Sequence, residues 1–200
     1  MMKHWINLIT VITVMSTGCS AQKNMLTENI NAAVVQQPIE DSVLQKLQSE
    51  NDLVIAYAVE KFAWIKSIDY RILAHNNGEW KGYVYHRNLM ANNAGSPTTL
   101  TPATVDKAAG DALLNYLTEN KAWTIKGDSE NGFCADENKN CNINDAASAR
   151  LWLITKTNAL NPSYYAPEFF ENCCPEKQRG LFVSITKKIA DIVADNGTTE

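Results

Sequence analysis

The sequence predicts an α+β domain, with an antiparallel sheet and helices packed on one of its faces. Three observations lead there. Asn77-Gly78 sits between two strand-like runs, Ser67–His75 and Trp80–Leu89, and that dipeptide is the strongest short-range hairpin signal. Further along, Val105, Ala109, Ala112, Leu113 and Tyr116, and then Leu181, Phe182, Ile185, Ile189 and Ile192, recur at helical spacing. Between these two stripes lies another strand-like run, Arg150–Thr157.

Taken in order, residues 20–38 are polar, rich in Gln and Asn, and lack a sustained apolar period. They read as a tether of about 20 residues, with a span near 25 Å. Ile39–Glu50 reads as a helix with Val43, Leu44 and Leu47 on one stripe and Asp41 and Ser42 suited to its first turn. Leu53–Trp64 fits two periods. Val54, Ile55, Tyr57 and Val59 favour a strand, while Leu53, Tyr57, Lys61 and Phe62 also fall on a helical stripe. Composition decides for a buried strand.

The hairpin is better defined. A two-residue type I′ turn needs positive φ at both central positions, which Asn and Gly tolerate. With Asn77-Gly78 in those positions, Asn76 faces Glu79 and the register is set. Ile68, Tyr70 and Ile72 then share a core face with Tyr83 and Tyr85, because side chains alternate with a period of two. The opposite face carries Asp69, Arg71 and His75 from one strand, and Trp80, His86 and Asn88 from the other, with Asp69 directly across from His86.

Residues 90–100 read as a loop. Thr101 is placed as a helix cap with Pro102 at the first helical position, and that helix runs to about Glu119. Ala122–Lys126 reads as a short strand, Gly127–Asp145 as a polar insertion, and Tyr164–Cys173 as a short helix. Pro175 opens the final helix. An insertion of this length is functional, cross-linked or mobile in a compact domain.

The first residues carry a different signal. Lys3 and His4 precede the apolar run Trp5–Met15, and Ser16-Thr17-Gly18 leads into Cys19. This resembles the signal peptide and lipobox of bacterial lipoproteins. Thr17, Gly18 and Cys19 match the family pattern, while Ser16 stands where it usually has Leu. The resemblance implies cleavage before Cys19, acylation of that residue, and anchoring that several acyl chains make effectively permanent. Ser20 after the cysteine resembles an outer-membrane sorting signal. Ordinary signal cleavage at the small residues Ser16 and Gly18 is the competing reading. An uncleaved span is disfavoured, because the apolar run is far short of the roughly 20 residues required.

The resulting organisation is a signal peptide at 1–18, a lipidated cysteine and tether at 19–38, one globular domain at 39–195, and a loose tail at 196–200. Hydrophobic residues at 45% and charged residues at 20% are ordinary globular values. A formal net charge of −4, with no concentrated basic face, argues against a nucleic-acid partner.

Cysteine counting supports the lipoprotein reading. The chain has five cysteines, and an odd one in an exported protein needs an explanation. Acylated Cys19 supplies it and leaves Cys134, Cys141, Cys173 and Cys174 as a set for two disulfides, the form that export favours. Three connectivities are open to four cysteines. The spacing is unlike the paired C-x-x-C units of zinc sites. The insertion also offers Asp136, Glu137, Asn138 and Asn140, oxygen donors that suit calcium. Measured against an EF-hand, however, Cys141 replaces the turn glycine and Ala147 the bidentate glutamate. No metal and no cofactor are expected.

Candidate chemistry centres on the hairpin. Asp69 and His86 have the geometry in which a carboxylate orients an imidazole, Arg71 lies diagonal to His86, and His75 with Trp80 would form a rim. Arg71, His75 and Trp80 are therefore candidate ligand-binding residues, and Asp69 and His86 candidate catalytic ones. No nucleophile is identifiable nearby. Ser184-Ile185-Thr186-Lys187 matches S-x-x-K, but its companion motifs are missing. Trp64, Trp80, Trp123 and Trp152 could serve as sugar platforms, although core packing is the default role of tryptophans in strands.

Three function classes remain. The first is a lipid-anchored envelope protein, facing the periplasm from the outer membrane, whose domain binds an envelope protein or a small molecule without catalysis. The second is a periplasmic hydrolase using Asp69 and His86. The third is a purely structural envelope component. A cleft over the hairpin face would favour the second.

Overall fold

The computed structural model describes residues 25–33, 38–61, 67–90, 97–128, 134 and 140–194. The signal, Cys19, Trp64, the carboxylates of the calcium-like loop at 136 and 137, and the C-terminal tail lie outside the described residues. Among the described residues, no helix is long and apolar enough to cross a membrane.

The domain is α+β, built on a seven-stranded antiparallel sheet. Strands β1 (Leu53–Lys61), β2 (Ser67–Asn76), β3 (Glu79–Asn88) and β4 (Thr99–Ala103) form a meander. Strand β5 (Ala147–Thr155) joins the other side of β1 and carries two short strands on its outer edge, β6 (Ala159–Leu160) and β7 (Ser163–Tyr165). The helices are α1 (residues 25–31), α2 (Ser42–Glu50), α3 (Lys107–Glu119), α4 (Pro167–Cys173) and α5 (Lys177–Ile192).

Strand β1 explains its own ambiguity. It lies between β2 and β5, and Leu53 to Ala56 are buried whichever face they point to. A strand buried on both faces shows no polar alternation, so its apolar run matches a helical stripe by coincidence. The hairpin follows the expected register, with Asp69 opposite His86, Tyr70 opposite Tyr85 and His75 opposite Trp80. Asn77 (φ 50°) and Gly78 (φ 85°) both adopt the positive φ that the turn requires.

Most of the helical mass covers one face. Leu53, Ile55, Leu73, Leu151 and Leu153 point there and pack against Leu113, Leu114 and Leu117 of α3 and Phe182, Ile185 and Ile189 of α5. The opposite face, carrying Val54, Ala56, Ile72, Trp152 and Ile154, is partly covered by Leu44 and Leu47 of α2. So α2 lies across the sheet from α1, α3 and α5, whereas the sequence predicts helices on one face only.

Three local expectations change. Residues 25–31, read as tether, form a helix whose Leu26 and Ile30 are fully buried in the main core. Asn158 Nδ2 donates to the Ile30 carbonyl at 2.8 Å and closes its C-terminal end. Two apolar residues four apart are too few to make a visible stripe. The Thr101-Pro102 start is also displaced. Those residues belong to β4, which among the described residues pairs only with β3, and proline is tolerated on such an edge. The helix begins at Lys107, after Asp106 caps it by accepting from Ala109 N–H at 3.0 Å. Finally, Ala122–Thr124 is a single 3-10 turn rather than a strand.

Candidate functional site

The even-numbered side chains of β1, β2 and β5 and the odd-numbered ones of β3 face α2. Helix α2 is only nine residues long and covers part of this face. Beyond its N-terminus the face opens into a cavity of about 400 Å³, whose lining includes Asp41, Glu60, Tyr70, Arg87, Arg150 and Trp152. Its walls come from the α2 cap, from β1, β2, β3 and β5, and from Asn161-Pro162-Ser163 at the outer edge.

Asp41 organises one wall. Its Oδ1 accepts from Val43 N–H (2.9 Å) and Leu44 N–H (3.1 Å), capping α2. Its Oδ2 accepts from Tyr85 Oη at 3.0 Å and lies 3.4 Å from Arg87 Nε. This residue is only 6% exposed, and a buried charge is tolerable when it is both paired and hydrogen-bonded, as here. Burial, followed by the hydrogen bond to Asp41 and its charge, pushes the Tyr85 phenol far above its ordinary value of 10.0. Tyr70 is also raised by burial, against an opposing hydrogen bond to Arg87.

The second wall repeats the pairing. Arg150 Nη2 donates to Glu60 Oε2 at 3.4 Å, and its guanidinium lies 5.6 Å from the centre of the Trp152 ring, a cation–π distance. Tyr70 bridges the walls, with ring centroids 5.1 Å from Tyr85 and 5.3 Å from Trp152. The cavity therefore presents two guanidinium–carboxylate pairs on an aromatic floor. Such a lining can offer hydrogen-bond donors and acceptors to a polar ligand, and charges of either sign.

The residues singled out from sequence sit on the other face. His86 Nδ1 and Asp69 Oδ1 are 2.7 Å apart, as the register required, with 24% and 61% of the side chains exposed. His86 Nε2 is buried and makes no hydrogen bond among the described residues. Arg71 is half-buried on this face, between Tyr57 and Val84 on the neighbouring strands. His75 and Trp80 are placed differently from the expected rim. His75 is buried and meets the Trp80 ring edge-on at 4.8 Å. Trp80 lies beneath α3, donating Nε1–H to Asp111 at 2.9 Å. A Cβ on Gly110 would fall 2.7 Å from the indole, so glycine is what lets α3 approach. His75 and Trp80 are thus part of the sheet–helix contact, and neither they nor Asp69 and His86 line the cavity.

The distal cysteines converge at the junction of α4 and α5. Cys141 and Cys173 are bonded, with Cα atoms 6.0 Å apart, which ties the polar insertion to α4. Cys134 and Cys174 lie outside that bond, so one of the two expected disulfides is formed among the described residues. Cys134, Cys141 and Ile143 pack with Ala166, Phe170 and Cys174 in a small satellite core.

Sequence reasoning missed Glu60, Arg87 and Arg150, and read Tyr70 only as core. One signal was available. The hairpin register already placed Arg87 on the face of Tyr70 and Tyr85, and a charge at the end of an apolar strand face deserves a partner. The pairing with Glu60 and Arg150 was not accessible, because it depends on β5 joining β1 (Ala58 faces Arg150) across some 90 residues. Compared with models of known protein families and with curated proteins, the chain matches none.

Proposed function

We propose that this is a lipid-anchored bacterial envelope protein, held on the outer membrane and facing the periplasm, whose domain binds a small polar ligand without catalysis. The observation that carries the binding reading is the cavity, with its two guanidinium–carboxylate pairs above the aromatic floor of Tyr70 and Trp152. Opposite charges held so close favour a ligand that carries both signs or many hydroxyls. A simple anion would have to displace a carboxylate from each arginine.

Anchoring is supported by Ser16-Thr17-Gly18-Cys19 and by the odd cysteine count. Metabolic labelling of cells with a fatty-acid probe tests it. The native protein should be labelled and membrane-bound, and Cys19→Ser should abolish the label and leave the precursor unprocessed; a normally processed, soluble Cys19→Ser product would overturn it. Calorimetry with amino acids, dipeptides and simple sugars tests the binding. Binding of one of these classes should be lost in Arg150→Ala, whereas unchanged affinity in that variant would remove the cavity from the account.

The 2.7 Å contact of Asp69 with His86 favours the hydrolase as a second reading. It requires His86→Ala to abolish turnover of an ester or amide substrate, with the fold unchanged.

A further inference from the structure

Where the polar insertion meets the α4–α5 junction, the Sγ atoms of Cys134, Cys141 and Cys174 all lie within 4.8 Å of one another, and Cys141 is already bonded to Cys173. The two thiols differ in access. Cys134 is half-buried, while Cys174 is 6% exposed. Arg179, itself 2% exposed, donates Nη2 to the Cys174 carbonyl at 2.7 Å and stands 3.8 Å from its Sγ. That guanidinium is placed to donate to the Cys174 sulfur when it attacks as a thiolate.

We infer that Cys134 and Cys174 form a redox-active dithiol that reduces an external disulfide and closes as a second bridge beside Cys141–Cys173. This inference is independent of the ligand reading. In the first step the Cys134 thiolate attacks one sulfur of the external disulfide, forms a mixed disulfide and expels one thiolate. In the second, Cys174 attacks Cys134 Sγ, the new bond forms, and the second external thiolate leaves. The protons of Cys134 and Cys174 pass to the two released thiolates. The dithiol is oxidised by two electrons and the external disulfide is reduced to two thiols.

Internal exchange is the competing chemistry, since Cys134 Sγ is 3.9 Å from Cys141 Sγ. Attack there would form Cys134–Cys141 and expel Cys173, replacing a link across 32 residues with one that closes a short local loop. Longer closed loops remove more entropy from the unfolded chain. A Cys134–Cys174 bridge keeps the long link and adds another, so that Cys173 and Cys174 each hold one residue of the insertion.

The test is a redox titration of the full-length mature protein in glutathione buffers, quenched with acid, alkylated, and read peptide by peptide so that Cys19 does not enter the count. The four distal cysteines should go from two alkylated thiols to none, with a Cys134–Cys174 cross-linked peptide appearing while Cys141–Cys173 persists. Cys174→Ser should accumulate a glutathione adduct on Cys134. Cys134→Ser should leave Cys174 unmodified, because it is buried. A Cys134–Cys141 peptide would overturn the inference in favour of internal exchange. So would two thiols that survive oxidised glutathione. Stoichiometric zinc bound by the reduced protein, with loss of all four alkylation sites, would overturn it in favour of a thiolate metal site.

Discussion

On the α2 side of the sheet, charged side chains are drawn inward. Asp41, Arg87, Glu60 and Arg150 pair with one another above a floor of tyrosine and tryptophan. On the α3–α5 side, the same strands send His75 and Trp80 into packing contacts and leave Asp69 and His86 at the margin, with Asp69 more than half exposed. The difference follows from coverage. Helices α1, α3 and α5 bring enough apolar surface to seal most of their face, whereas α2 is too short to seal the other. An uncovered stretch of sheet must carry polar groups, and in a concavity those groups hold one another in fixed positions. The pair most visible in the sequence, Asp69–His86, is therefore partly exposed at the margin, and the less visible Asp41 and Arg87 are the ones that line a cavity.

This contrast can be broken in several ways. The largest effect belongs to the apolar face. Leu26→Ala should destabilise the domain by about 2–5 kcal/mol, the cost of truncating a fully buried leucine, as read by urea unfolding. A change below about 0.5 kcal/mol would return residues 25–33 to the tether.

Asp41→Ala should cost about 2–3 kcal/mol, combining a lost N-cap with two donors left without their acceptor. Asp69→Ala, at an exposed cross-strand pair, should cost under about 1 kcal/mol. Equal costs would erase the distinction between the two carboxylates.

A smaller effect is expected in alkali. The unfolded chain releases a tyrosine proton near pH 10, while Tyr85 in the folded domain holds its proton well above that value. The native state then binds more protons than the unfolded one, so stability falls as pH rises past about 10. Tyr85→Phe should flatten that part of the slope, and an unchanged slope would show that Tyr85 does not titrate as its surroundings require.

How much of this was legible in the sequence depended on the range of the interactions. The hairpin was readable to the residue, because Asn77-Gly78 fixes the turn and a period of two does the rest. The final helix was readable because Phe182, Ile185 and Ile189 repeat on one stripe. Thr101-Pro102 misled because a cap signal is local, while the free edge of β3 that captures those residues as a strand is not. Residues 25–31 were missed because their helix is stabilised by the distant core and by Asn158. The cavity needed β5 placed beside β1, and nothing local specifies that pairing.

On the reading proposed above, the α2-side cavity, and not the hairpin face with His86, is where this domain meets its ligand. Two tryptophans report on the two faces separately, since Trp152 forms part of the cavity wall and Trp80 lies under α3. With fluorotryptophan incorporated and the resonances assigned by single Trp→Phe variants, titration with the amino acid, dipeptide and sugar panel should shift the Trp152 fluorine signal and leave that of Trp80 in place. A ligand that moves Trp80 and the His86 ring signals while Trp152 stays fixed would contradict the account.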